Sequence, residues 1–498
     1  MRSPARKSNG KVFGLGSNFY AEWRQRGGSV LCLREDGSPP PEHLLQTVWF
    51  HQRLLREQLA MVNGRRLRVL HPGYWNREAG PDFRGAMLQF GDESPVCGDV
   101  EIDLDASGWR THGHNRNPAF ARVLLHVVWN NDSKTNRNSP QESTLPMLAL
   151  KDALDAPVQE LAYWLGSDVA RGFPEALRGQ CCAPLRDLSA DRLTELLHHA
   201  ALLRMQSKAA QLQARARQAG WEQALWEGLF RALGYKHNVW PMQHLAELRS
   251  RLVSDKSKAP RLTMQARLLG VGALLPAELT RTSGSTGRYL RTVWDIWWRE
   301  RDAWNDCALP RALWRFHGLR PANHPQRRLA LAAHWLAEGE LPGRIERWGL
   351  TSTPAEALVS TLLKAMQAEP DEFWSWHWTL RSKRLTKAQP LLGATRVTDL
   401  AVNVVLPWLW MRAVEGKNES LRTEMERRFL SWPAGEDNAV LRLARERLLG
   451  GAPARVLAGA AAQQGLLQIV RDFCEHSNAL CDECRFPELV KQWRGTMI

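Results

Sequence analysis

No stretch of this sequence approaches 18 uninterrupted apolar residues, the length that reads as a membrane-spanning helix. The nearest, residues 401–411, is short and carries Asn403 and Pro407, so no membrane span is expected. Residues 1–28 are basic and Gly/Ser-containing and have no apolar core of the kind a secretory signal needs. They are expected to be part of a disordered arm. Cysteine is sparse, at eight residues in 498. With no secretory signal, a cytoplasmic setting is expected, with thiols reduced or metal-bound rather than paired in a disulfide framework. There is no internal repeat at a fixed period. The glycine-rich stretch 282–287 (TSGSTG) lacks the G-x-x-x-x-G-K-S/T spacing of a phosphate-cradling loop. Acidic residues are in deficit, 52 Asp+Glu against 67 Lys+Arg, leaving a net charge of +15. That surplus favours a polyanionic partner, nucleic acid first and an anionic membrane surface second.

What is present is enough for a large globular protein. Hydrophobic residues make up 44% of the chain, and its length exceeds one ordinary core, predicting two or three domains. The residues able to do chemistry gather in 71–132. Within 98–105, Val100, Ile102 and Leu104 alternate with Asp99, Glu101, Asp103 and Asp105. A period of two predicts a half-buried strand with its carboxylates on one face, neighbours about 6–7 Å apart. Such carboxylates raise one another's pKa unless a cation, a hydrogen-bond network or open water intervenes. The competing reading is a solvated edge strand whose charges discourage pairing with other strands.

The neighbours sharpen the choice. Gly80-Pro81-Asp82-Phe83, the apolar positions Ala86, Leu88 and Phe90, and the polar turn 91–95 predict a hairpin that brings Asp82 and Glu101 onto adjacent strands. Downstream, His112 and His114 follow Trp109 in a polar segment. Residues 121–129 (ARVLLHVVW) then form an apolar run suited to a buried strand. His126 inside that run reads as a satisfied core histidine. His112 and His114 read as solvated when taken alone; beside carboxylates of the same small sheet they become candidate ligands.

The pattern predicts an α+β protein. A disordered arm (1–38) precedes an N-terminal mixed-sheet domain (39–170) with a helix at 42–61 and strands at 66–71 and 145–150. Glu42 and Glu57 on that helix are expected to be solvated. A linker (171–189) carries Cys181 and Cys182, and a helical domain (190–470) follows. The 23 tryptophans cluster with arginine, as in Trp294, Trp297 and Trp298 with Arg299 and Arg301. These helices are expected to use tryptophan for packing, with the interleaved arginines as a possible nucleic-acid face.

The last segment (471–498) holds Cys474-x6-Cys481-x2-Cys484 and His476. Three thiolates at this spacing suit a metal. His476 would complete a zinc site locally; alternatively Cys181 or Cys182 would complete a four-thiolate zinc or 4Fe-4S site from upstream.

GPDF, the GDVEI strand, SGW, H-x-H and VLLHVVW, in this order, resemble an uncharacterised bacterial family, domain of unknown function 2851. The resemblance continues through WEGLFRALGYKHN, LRPANHPQRRLA, residues 393–407 and the terminal cysteines, covering roughly residues 40–490. The chain departs from it at Asp103, where relatives tend to show His, and at Asn117, where Asp is usual. The order helix, three strands, helix, strand is also similar to the restriction-endonuclease-like PD-(D/E)XK nuclease core. That resemblance implies that Asp82 and Glu101 hold Mg²⁺ or Mn²⁺, with Asp103 as a third carboxylate. The lysine of the motif is absent, and Arg110, His112 or His114 would have to stand in for it. The cysteines would then resemble the iron–sulfur staple of some exonucleases with this core. The function so implied is a metal-dependent nuclease acting on DNA or RNA. The alternatives are a non-catalytic nucleic-acid-binding or scaffolding protein, or a metal hydrolase using His112, His114 and His126.

Overall fold

The structure, a computed structural model, describes residues 18–27, 40–76, 80–130, 145–165, 180–235, 237–253, 260–278, 284–316, 319–450, 457–474 and 484–493. Its N-terminal part is built on a sheet of six strands: β1 (Leu67–His71), β2 (Tyr74–Trp75), β3 (Phe83–Phe90), β4 (Val96–Asp105), β5 (Val123–Asn130) and β6 (Met147–Ala149). The order is β1-β3-β4-β5-β6, with β2 paired to β3. β1, β3 and β4 form an antiparallel meander. β5 then joins β4 in parallel, and β6 joins β5 in parallel. The alternation in β4 sorts as its period requires. Val100 and Ile102 enter a core with Leu44, Val48 and Trp49 of helix Glu42–His51 and Leu161 and Leu165 of helix Val158–Leu165.

β4 is a central strand, so the edge-strand reading is overturned. Asp99, Glu101 and Asp103 are buried on its other face, and only Asp105 is exposed. Asp99 has a structural task. The pairing of β3 with β4 shifts register between Phe83 and Ala86. Asp99 Oδ1 accepts the N–H of Gly85 there at 3.0 Å, satisfying a backbone donor that the bulge leaves unpaired.

Two other expectations are corrected. The helix predicted over 42–61 ends at His51, where Gln52 turns left-handed with φ 50°. The chain beyond it bridges Leu54 to Leu154, so tertiary pairing overrides the helical pattern. The arm expected over 1–38 contains a docked helix, Phe19–Gly27. Tyr20 Oη donates to Asp472 Oδ2 at 2.9 Å and Arg24 Nε to Asp472 Oδ1 at 3.1 Å, while Phe19 stacks on Trp493.

The C-terminal part is mostly helical, as its periodicity predicts. Its longest helix, Ala190–Ala219, starts where the Ser189 side chain accepts the Arg192 N–H, a helix-start capping bond. Trp226, Trp335, Trp374, Trp408, Trp410 and Trp432 are fully buried within it. Among the described residues, one stretch, Ala394–Glu415, is long and apolar enough to cross a membrane; 78% of its most apolar window is buried inside the protein. Within the region expected as a linker, Cys182–Arg186 forms a short helix packed on helices Ala439–Leu449 and Phe486–Gln492.

Candidate metal centre

The buried face of β4 and the segment leading into β5 enclose one cluster of titratable side chains. Asp82 stands just before β3 and lies beside β4, its backbone N–H donating to Glu101 Oε2 at 3.0 Å. The Ile102 N–H returns a bond to Asp82 Oδ2 at 3.1 Å. From helix Glu42–His51, Gln46 Nε2 donates to Asp82 Oδ1 at 2.9 Å and to Glu42 Oε1 at 3.2 Å. The helix therefore brings a further carboxylate, Glu42, to the edge of the site.

Segment 107–120 covers this face. Gly108 is required where it crosses Asp103, because a Cβ there would lie 2.6 Å from Asp103 Cγ. Asp103 Oδ1 is 3.1 Å from His112 Nδ1, and its Oδ2 is 2.9 Å from His126 Nε2. A carboxylate only accepts, so both imidazoles donate to it. His114 Nε2 lies 3.2 Å from Glu101 Oε1. Trp109 and Phe120 pack over His114, and Trp109 also packs over His126. Asp103 and His126 form a buried floor, and His112, whose side chain is 54% exposed, marks the solvent side.

The electrostatics follow from this crowding. Burial raises Asp82 to about 7, with Glu42 and Asp103 adding to it and the Ile102 N–H and Gln46 amide opposing. Burial and the Asp82 charge raise Glu101 to about 9. Burial also raises Glu42 and lowers His114. Glu101 and His114 thus both favour their neutral forms. Burial therefore disfavours the ion-paired form of their 3.2 Å contact. Asp103, His112 and His114 each offer a ligand atom within 4.8 Å of the others. Carboxylate oxygens suit Mg²⁺ and Mn²⁺, and the imidazoles tilt the set toward Mn²⁺ or another transition metal.

Asp82, Glu101, Asp103, His112 and His114 are thus brought together. Glu42, Gln46 and Gly108 belong to the same constellation although their spacing did not single them out; the cue available was the i, i+4 pair Glu42–Gln46 on the helix that opens the unit. Glu42 is half-buried here, against the expectation of a solvated charge. Glu57 fits that expectation: it pairs with Arg215 and its side chain is 63% exposed. His126 is a satisfied buried histidine whose partner is the site carboxylate Asp103. Arg110, named as a stand-in for the lysine, is exposed.

Among the cysteines, Cys181, Cys182 and Cys474 are buried and Cys484 is partly buried. The helix beginning at Cys182 packs against the helix that follows Cys484, and Cys484 Sγ lies 4.0 Å from the carbonyl of Phe473, next to Cys474. Cys481 and His476 lie outside the described residues.

No curated protein and no solved structure matches the chain. A family model described as a protein of unknown function, DUF2851, matches residues 42–438. That span holds the whole sheet, the carboxylate–histidine cluster and most of the helical part, and the chain belongs to this family.

Proposed function

We propose that the protein is a divalent-metal-dependent phosphodiesterase acting on nucleic acid, with Asp82 and Glu101 as its principal cation-holding carboxylates. The observation that carries this reading is the Asp82–Glu101 pair, joined through the Asp82 N–H, with Glu101 buried and Asp82 partly buried, beside Glu42 and Asp103. A fold that keeps so many carboxyl groups together and largely shielded from water stabilises them best with a cation between them. A bound divalent ion there would polarise a phosphoryl oxygen and offset the charge that develops on it.

The protein's own groups supply the remainder. His114, held neutral by burial, is placed to take the proton of an attacking water, the task for which the resembled core uses its missing lysine. Asp103 fixes the rings of His112 and His126. The element order supports the reading: the helix Glu42–His51, the antiparallel meander β1, β3 and β4, the helical segment 108–120 and the parallel β5 follow one another as it requires. The net charge of +15 suits the substrate.

A second reading, a hydrolase of another phosphate or acyl ester, draws on the convergence of Asp103, His112 and His114. Cleavage of labelled single- and double-stranded DNA and RNA in Mn²⁺ and in Mg²⁺ separates the two. Wild type is expected to cut, faster in Mn²⁺, and Asp82→Ala and Glu101→Ala to fall to background. Hydrolysis of bis(p-nitrophenyl) phosphate or p-nitrophenyl acetate, with nucleic acid left intact, would move the function to the second reading. Salt-sensitive binding without cleavage would leave a binding protein.

For the cysteines, the packing of helix Cys182–Arg186 against Phe486–Gln492 supports a structural zinc or 4Fe-4S site that draws on Cys181 or Cys182, Cys474, Cys481 and Cys484. Protein purified without oxygen should contain stoichiometric zinc or iron, and Cys484→Ser should lose it. A metal-free wild type would remove the site.

A further inference from the structure

Helix Gly284–Glu300 divides its tryptophans between two tasks. Trp297 packs inward against helix Arg261–Val271: a Cβ at Gly270 would fall 2.1 Å from its ring, so the glycine leaves the space that the indole fills. Tyr289, Leu290 and Val293 complete the buried side.

Trp294 and Trp298, one turn apart, stack outside it, with ring centroids 4.6 Å apart and planes 13° from parallel. The Arg301 guanidinium lies 3.2 Å over the Trp298 ring, next to Asp302 at 3.5 Å. Three planes thus form a column, and Trp298 remains 48% exposed. At 3.6 residues per turn, the outward positions 288, 291, 292, 295, 298 and 299 are Arg, Arg, Thr, Asp, Trp and Arg. Arg288, Arg291 and Arg299 have no ion-pair partner among the described residues.

A stacked pair of tryptophans with one ring half in water presents a larger aromatic surface than a singly scattered apolar residue. Arg291 Nε donates to the Gly287 carbonyl at 3.2 Å, which leaves its charge without a counter-ion. Aromatic planes beside guanidinium groups that lack an ion-pair partner suit a single strand: unpaired bases of any sequence prolong the stack, and the phosphates meet the arginines. A duplex keeps its bases stacked on one another and has no free face to offer. A membrane surface also attracts tryptophan and arginine, but it calls for aliphatic anchors beside them, and those outward positions carry none.

We propose that the outward face of helix Gly284–Glu300 is a binding track for single-stranded nucleic acid. Trp294 and Trp298 form its stacking platform, and Arg288 and Arg291 contact phosphate. This rests on the nucleic-acid reading of the carboxylate site and adds to it the form of the strand and the place where it is held.

The test is fluorescence anisotropy of a labelled oligothymidylate of about 15 nucleotides, with EDTA present so that binding is read without cleavage. Wild type is expected to bind, Trp298→Ala and Arg291→Gln to bind about tenfold more weakly or worse, and Trp298→Phe to recover most of the loss. Melting temperatures should match wild type, which separates lost contact from lost fold. Equal affinity of wild type and Trp298→Ala overturns the track, as does preference for duplex, stronger binding to phosphatidylglycerol vesicles, or no binding at all. Loss of cleavage in Asp82→Ala with full activity in Trp298→Ala would sink the track and leave the phosphodiesterase standing. Weakened binding in Trp298→Ala without any cleavage by wild type would do the reverse.

Discussion

Glu101 shows what a single residue can and cannot reveal in advance. The period of two in β4 places its carboxylate on the face opposite Val100 and Ile102 whatever the rest of the chain does. Its contact with His114 and its crowding by Asp82 depend on a segment that crosses back over the sheet. Both Asp82 and Glu101 have folded-state pKa values, about 7 and about 9, above those of ordinary carboxyl groups. An acid with a raised folded pKa contributes stability that is fully present below its unfolded pKa and is lost as pH rises through the folded value. The metal-free protein should therefore lose stability between about pH 4 and pH 9 from these two groups. A bound cation favours the ionised forms and offsets that loss. The rise in melting temperature on adding Mn²⁺ should thus be small at pH 5 and reach a few degrees at pH 8. An equal rise at both pH values, or one retained in Asp82→Asn, would remove the cation from this pair. Gly108 supports a second prediction. A methyl group there meets Asp103 Cγ at 2.6 Å, so Gly108→Ala should cost about 1–3 kcal/mol in urea denaturation and weaken Mn²⁺ binding. Unchanged metal affinity would mean that segment 107–120 does not set the position of Asp103.

At the scale of elements, short-range patterns were legible wherever periodicity ran on without interruption. The strands at 67–71, 96–105 and 123–130 and the long helix from Ala190 follow from them. Element ends and docking were not legible. The helix from Glu42 stops at His51 because the chain after it pairs with residues 153–154, a contact no local window contains. Helix Phe19–Gly27 is only nine residues long and is held by Asp472, more than four hundred residues away. Asp472→Ala would leave the buried Arg24 guanidinium and Tyr20 hydroxyl without this partner, a loss of about 3–5 kcal/mol. Limited proteolysis of the variant should cut first within residues 19–27, and unchanged proteolysis and denaturation would show that the helix is held by its aromatic contacts alone.

For the whole molecule, the excess of 15 positive charges is a statement about partners and not about fold. The structure gives part of that charge an address, on the outward side of helix Gly284–Glu300, and spends another part internally. Arg327, Arg328, Arg428 and Arg447 are buried, and the first three donate to backbone carbonyls inside the helical part. Only surface cations should release counterions on binding. Neutralising Arg288 and Arg291 together should therefore reduce the slope of log affinity against log salt by about 1.4 for a single strand. Neutralising Arg328 should alter stability and leave the slope alone. The same slope in the surface double variant and in wild type would place the bound strand elsewhere.

The sequence by itself determined the α+β class, the strand that carries its carboxylates on one face, the helical continuation and the tryptophan-rich packing. Each of these rests on periodicity, which is local and is dictated by backbone geometry. Only the tertiary structure decided that β4 is central rather than at an edge, that Glu42 reaches Asp82 through Gln46, that Asp103 is held between two histidines, and which tryptophans face outward. Those facts depend on which distant segments exclude water from one another, and burial of that kind couples residues across the whole chain in a way that no spacing within a segment encodes.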